Sequence, residues 1–459
     1  MLLRFSVKNL FSFNDETEFN LLPGRISRLS HHKYSKAGIE FLKLSALYGA
    51  NGAGKSNLIK AISLLKQLVK TGIIPSELNS QKFKLSPKKS KDYTDLEIEF
   101  IKNEKAFYYS IKLNEGIVLE EQFCISGLGK KADQILFHRT IDSNSSTQIK
   151  FFDGFEESKE NVLLKTVIEK DLIKPDKPLI HLLQSLSSET FNDIKSASDW
   201  FSKNLTIIEP DFMPNGLTMK IDKLPEFKNF AIDMVKSFQT GIVDLKIETN
   251  SIEDFFGEDN QKEIDRITGK LKQNPKLVVP LRNRYSHEEV SFVNEDDKIV
   301  SKRLVLEHKG EKNEMVKFSF DEESDGTRRL IEYIPALESV INREMVIIID
   351  EIERSIHPLI VKELISKFSL DEKTQGQLIF STHESNLLDQ EIFRQDEIWF
   401  AEKNKIGATE LYPLSEFKID GQKEHHTIDI QKGYLSGRYG AIPFSGNLTD
   451  LNWHKYHNA

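Results

Sequence analysis

One cysteine, Cys124, in 459 residues rules out an internal disulfide and any cysteine-based zinc cluster, and it fits a reducing compartment. Long apolar runs are missing as well. No run approaches the length of a membrane span, and the opening MLLRFSVKNLFSF carries Arg4 and Lys8 among its apolar residues with no small-residue cleavage site. The expectation is a cytosolic chain with no membrane partner. An excess of positive charge is also absent, since 63 Lys and Arg against 71 Asp and Glu give a net charge of -8. That balance argues against a protein built to coat nucleic acid, without excluding a local patch. The one obvious patch is QKFKLSPKKSK, with Lys82, Lys84, Lys88, Lys89 and Lys91, read either as a solvated loop or as a contact for phosphate or an acidic protein. There is no internal repeat, no low-complexity segment and no heptad pattern long enough for an extended coiled coil.

What is present is ordinary globular composition, 39% hydrophobic and 29% charged, at a length that favours two or three structural units. Leu3, Phe5 and Val7 alternate with Arg4, Ser6 and Lys8 at the period of a half-buried strand, and LKLSALYG makes an apolar strand leading into GANGAGKS. Helical spacing follows over Asn57 to Val69. LEIEF, AFYYSIKL and IVLEEQFCI predict an antiparallel sheet beside that loop. From Glu156 the pattern turns helical, punctuated by prolines 175, 178, 210, 214 and 225, and strand-like runs return at KLVVPL, SKRLVLEHK and MVKFSF. MVIIID, QLIFST and DEIWFA are buried parallel strands of an α/β core. The expected organisation is a first lobe over 1–155, a helical insertion over 156–275 and a second lobe over 276–459.

The phosphate chemistry begins with three glycines. Gly49, Gly52 and Gly54 let the backbone of Gly49, Ala50, Asn51, Gly52, Ala53, Gly54, Lys55, Ser56 and Asn57 curl so that its amides face phosphates at a helix N-terminus. Lys55 reaches the β- and γ-phosphates of ATP and Ser56 ligates Mg2+. MVIIIDE then ends a strand in two acids: Asp350 holds the magnesium and its water shell, and Glu351 orients the attacking water. In QLIFSTHES, His383 follows another buried strand and is read as a sensor of the γ-phosphate. ESDGTRRL places Ser324 and Gly326 at the entry of an amphipathic helix, which is either a plain cap or an anion site. His425, His426, His454 and His457 lack an acidic or cysteine pattern and suggest no metal site. Ser355 and His357 are candidates for an interface or for helix N-terminal packing.

The order of these motifs resembles the ABC-type ATPases of the SMC and RecF kind. Ser324 and Gly326 match the serine and second glycine of that family's signature, while Asp325 and Thr327 replace its usual glycine and glutamine. Gln81 is a weak match to the family's glutamine loop. RFSVKNLFSF, ESDGTRRL, DEIERSIHP, FSTHESNLLD, RQDEIWFAEK and YLSGRYGAIPF further resemble bacterial AAA-family ATPases of anti-phage defence islands, most of all the AriA-type subunits of PARIS systems, with RloA-type ATPases sharing most of these words. That resemblance implies an α/β fold with an ABC-type P-loop ATPase head, an antiparallel β subdomain and a helical insertion. It implies ATP hydrolysis with Mg2+ through Lys55, Glu351 and His383, and a homo-oligomer of head-to-tail ATP-sandwich dimers that extends in some members to a hexamer. It further implies a TOPRIM-type, AriB-like nuclease effector held in the complex, and a phage-encoded trigger protein such as a DNA mimic. A DNA-repair clamp of the RecF or SMC kind is the alternative, and direct DNA binding stays open. The stretch after His383 leaves no room for a nuclease domain, which sets aside single-chain ATPase-nucleases.

Overall fold

The computed structural model describes residues 1–86, 92–142, 146–257, 260–283, 287–417 and 429–442. Leu44–Gly49 and Val346–Ile349 are buried at every position, as is Gln377–Thr382. Strands this apolar need cover on both faces, so they pair in parallel between layers of helix. They sit in a six-stranded sheet ordered Leu205–Ile208, Val346–Ile349, Gln377–Thr382, Leu44–Gly49, Ile398–Lys403, Thr409–Pro413. All neighbours are parallel except the last pair. Their carboxyl ends therefore emerge along one edge, where α/β sheets place ligands.

The helix Lys55–Thr71 buries Leu58, Ile62, Leu65 and Val69 in a core shared with a second, seven-stranded antiparallel sheet. That sheet runs from Thr147–Phe151 through Gln134–Ile141, Ile117–Ile125, Lys105–Asn114, Thr94–Lys102 and Leu2–Lys8 to Thr17–Asn20. Helices Asp325–Asn342 and Pro358–Leu370 cover the opposite face of the parallel sheet, through Leu330, Tyr333, Leu337, Val361 and Ile365. An α/β head with an antiparallel subdomain is thus what the chain builds. Among the described residues, no helix is long and apolar enough to cross a membrane.

The segment 156–275 differs from the compact helical insertion expected of it. Its first half, including Leu179–Ser185 and Asn192–Asp199, packs into the core beneath the antiparallel sheet. Glu121, fully buried, fastens it there by accepting the amides of Leu179 (2.6 Å) and Ile180 (2.9 Å) at the start of a helix. The second half packs through Leu217, Ile221, Ala231 and Val235 on a five-stranded sheet completed by residues after 276. Between the halves, Leu205–Ile208 lies beside Val346–Ile349, and within the second half Ile242–Ser251 pairs with Lys298–Lys309. LTII is too short to carry a period of its own, and its pairing energy comes from a strand distant in sequence.

A second long-range fastening carries a pH signature. His32 and Glu397 are both fully buried, with the imidazole Nδ1 2.9 Å from each carboxyl oxygen. Burial pushes His32 down to about 3 and Glu397 well above the carboxylate range. The folded pair therefore holds one proton at neutral pH. Unfolded, histidine and glutamate release theirs near 6.5 and 4.5. The folded pair thus binds more protons than the unfolded one above pH 6.5, as many between 4.5 and 6.5, and fewer below 4.5. By linkage its contribution is greatest between those two values and falls as pH rises past 6.5. Thermal melts of parent and Glu397→Gln should show a stability difference that shrinks from pH 6.5 to 9; a difference that grows would reverse the assignment.

Candidate nucleotide site

Gly54 ends the loop as the N-cap of the 17-residue helix Lys55–Thr71, with φ 116° and no side chain to cap the helix. A Cβ at this position would collide with the Thr409 hydroxyl. That hydroxyl donates to the Ala53 carbonyl (2.7 Å) and lies 2.8 Å from the Ser12 hydroxyl, which accepts from the Asn57 side-chain amide (2.8 Å). The loop is thus braced from outside by Ser12 and Thr409, while the amides of the helix's first turn have no intrahelical acceptor. Gly52 has φ 76° with open space around it. Such a cradle suits a polyphosphate.

Lys55 lies under the loop, only 5% exposed. Its ammonium donates to the carbonyls of Gly49 (2.8 Å) and Ala50 (3.3 Å) and sits 3.1 Å from His383 Nε2. Burial lowers Lys55 to about 8, against the pull of Glu353, Asp350 and Glu351. His383 is lowered by burial and then by Lys55, so it stays neutral and accepts from the ammonium. Asp350, at the end of its strand, accepts from the Ser56 hydroxyl (3.1 Å) and from the Ser381 hydroxyl (2.5 Å). Ser381 in turn accepts the amide of Glu351 (2.8 Å), which sits at φ 53°. Five of the residues singled out in the sequence, Lys55, Ser56, Asp350, Glu351 and His383, therefore meet at one edge of the sheet. No group of three His, Cys, Asp or Glu side chains is placed to hold a metal among the described residues. Ser56 and Asp350 instead suit a magnesium ion whose other ligands are phosphate oxygens and water.

Ser324 and Gly326 lie apart from this group, and no hydrogen bond joins them to residues 49–57 among the described residues. Ser324, exposed, caps the helix Asp325–Asn342 by accepting the Thr327 amide at 3.1 Å. A Cβ on Gly326 would lie 2.5 Å from the Ser355 carbonyl, so the glycine is required by close packing of the turn after the acids. Arg329, nearly buried, fastens the same helix to the Glu209 (3.0 Å) and Phe212 (3.3 Å) carbonyls. His357 Nδ1 accepts the Leu359 amide at 3.3 Å, which is helix capping. Gln81 offers its carbonyl to the Phe11 amide (2.7 Å), and no hydrogen bond of its side chain reaches Ser56 or Asp350. Lys82 is buried against Asn114, whereas Lys88, Lys89 and Lys91 lie outside the described residues, as do His425, His426, His454 and His457.

Sequence reasoning missed Ser12, Thr409, Ser381 and Glu353. Ser381 and Glu353 stand within the quoted motifs, FSTHES and DEIER, where their polarity beside a buried strand was a usable signal. Ser12, although inside RFSVKNLFSF, and Thr409 gave no sign of their pairing, because they meet across almost the whole chain.

No curated protein matches the chain in sequence. Among the solved structures to which the chain is similar are three SMC heads. The SMC head bound to the C-terminal winged-helix domain of ScpA is 12% identical over 90% of this chain and 97% of that one, with a TM-score of 0.41. The SMC head domain from Thermotoga maritima is 12% identical over 90% and 98%, at 0.38. An SMC head with an extended coiled coil, bound to the C-terminal domain of ScpA and derived from Pyrococcus furiosus, is 14% identical over 90% and 96%, at 0.34. A family model described as "AAA domain, putative AbiEii toxin, Type IV TA system" matches residues 44–389. That span holds the loop, the paired acids and the histidine, and the chain belongs to this family of AAA-domain ATPases.

Proposed function

We propose that this chain is the ATP-binding and ATP-hydrolysing sensor and scaffold of a bacterial anti-phage complex, of the AriA kind found in PARIS systems. It holds a toxic TOPRIM-type nuclease and releases it when a phage-encoded protein is recognised. The observation that carries the switch is the 3.1 Å contact between Lys55 and His383. A γ-phosphate entering the loop competes for the lysine ammonium and for the imidazole, so its arrival and its loss move the residue that follows the strand Gln377–Thr382.

In the hydrolytic step the first-turn amides and Lys55 bind the phosphates, and Glu351 takes a proton from the attacking water. Ser56 and Asp350 would hold a magnesium ion, which would supply charge neutralisation at the phosphate oxygens. The exposed start of the helix at Ser324 closes over nucleotide bound by another subunit, which makes the working unit a head-to-tail dimer. An acidic, DNA-mimicking trigger suits the lysine-rich run after Gln81.

A trigger shifts such a complex only as far as its affinities for the holding and releasing states differ, so nucleotide must stabilise one of them. Lys55→Ala should therefore abolish protection against phage with the nuclease gene intact. The purified parent should hydrolyse ATP and leave DNA and RNA uncut. Full protection by a Lys55→Ala protein shown not to bind ATP would make the chain a passive scaffold.

A further inference from the structure

Three carboxylates follow the strand Val346–Ile349, and the mechanism above uses two. The third, Glu353, is carried back toward the sheet by the tight turn that begins at Glu351, where φ is 53° and the Arg354 amide returns to the Glu351 carbonyl at 2.9 Å. There Glu353 Oε1 accepts the backbone amide of His383 at 2.6 Å. His383 stands just beyond its strand, outside the ladder that fixes Gln377–Thr382, so this carboxylate is what holds its backbone. The other oxygen, Oε2, is buried with no partner among the described residues. A buried carboxylate oxygen left open is uncommon and marks a place where a further donor belongs. The side chain also bears on the rest of the site. Of the carboxylates near Lys55, Glu353 exerts the largest pull on the ammonium, ahead of Asp350 and Glu351, and it outweighs Glu351 on His383 as well.

We propose that Glu353 is a positioning residue for ATP hydrolysis: its carboxylate clamps the backbone of His383 so that the imidazole stays against Lys55, where the γ-phosphate arrives. The clamp joins the turn after the acids to the histidine loop, two segments that no strand pairing connects beyond Thr382. It spans the place where phosphate is made and lost. A shift of the turn after hydrolysis is passed to His383 through one hydrogen bond.

This rests on the reading of the site as an ATPase, and its test separates the two. In the full-length protein, Glu353→Ala removes the acceptor, while Glu353→Gln keeps an oxygen able to accept the amide. Glu353→Ala should lower kcat roughly 30-fold or more with KM for ATP within about 3-fold, the scale expected when a catalytic group is misplaced by an ångström, and Glu353→Gln should recover most of that loss. The imidazole resonances of His383, assigned with a His383→Gln variant, should move in Glu353→Ala and stay near the parent's in Glu353→Gln. If Glu353→Ala does not fold, Glu353→Asp keeps the charge but withdraws the oxygen from the amide, and should show the same loss. Parent-level turnover in Glu353→Ala, or in Glu353→Asp where that stands in for it, overturns the proposal. So does a Glu353→Gln protein as slow as Glu353→Ala, since the charge would then be what matters. Should the parent itself fail to hydrolyse ATP, the functional reading falls, and the imidazole resonances still decide the clamp.

Discussion

Glu351→Gln should bind ATP as the parent does and turn it over at least about 100-fold more slowly, the range expected when a general base is lost. The geometry leaves little else for the substitution to disturb. Glu351 is held by its backbone, through the Ser381 hydroxyl at 2.8 Å, and its carboxylate makes no hydrogen bond among the described residues. Glutamine has the same shape and fits the same turn. What it lacks is the capacity to take a proton from water, so the loss falls on kcat and leaves KM near the parent value. Asp350 stays tied to Ser56 and Ser381 in the variant, so the carboxylate that would hold magnesium is undisturbed. Turnover within a few-fold of the parent would remove Glu351 from the catalytic role.

Ser324 gives the second large effect, and two substitutions separate its two explanations. As the N-cap of Asp325–Asn342 it is replaceable by aspartate, one of the best capping residues, with little change in stability. Facing a triphosphate held by another subunit, the same aspartate sets a negative charge against the γ-phosphate. Ser324→Asp should therefore fold and bind ATP like the parent yet hydrolyse it more than about 100-fold more slowly, because like charges brought together at closure cost several kcal/mol. Ser324→Arg should also be inactive, by bulk, after losing a cap worth about 1 kcal/mol. Mixing either protein with Lys55→Ala should restore activity, since one composite site in each mixed dimer is intact. A fully active Ser324→Asp leaves the serine as a cap only. Mixed dimers without recovered activity would place the closing surface elsewhere.

The parts legible in the sequence were those whose physics is local. LSALYG, VIII and QLIFST are apolar without interruption, which only a strand covered on both faces sustains, and each runs into the residues that chemistry needs: the glycines, the acids, the histidine. The N-terminal strand showed itself by alternation. Illegible were features set by partners distant in the chain. Thr409 acts on Ala53 only once its own strand has joined the sheet's edge, and no composition around it says so. His32 and Glu397 look like surface residues until the fold encloses both. Glu353 depends on a positive φ at Glu351, a residue type for which that conformation is costly and hence not anticipated. Ser324 was ambiguous for another reason: a helix cap and an anion site use the same atoms.

The four-residue strand Leu205–Ile208 constrains anyone who would trim or exchange the middle of this protein. The Ile208 carbonyl accepts the amide of Asp350 at 2.9 Å, and the residues just after it hold Arg329. A minimal version made by excising 156–275 would leave the Asp350 amide without its acceptor and the magnesium carboxylate on an unprotected sheet edge. The helices before 205–212 share the main core with the antiparallel sheet, and the helix-and-sheet unit after it packs on Ile331 and Ile334, so an exchange on either side must carry those contacts with it. This short stretch therefore has to travel with the nucleotide site, because it supplies the Asp350 amide with its acceptor.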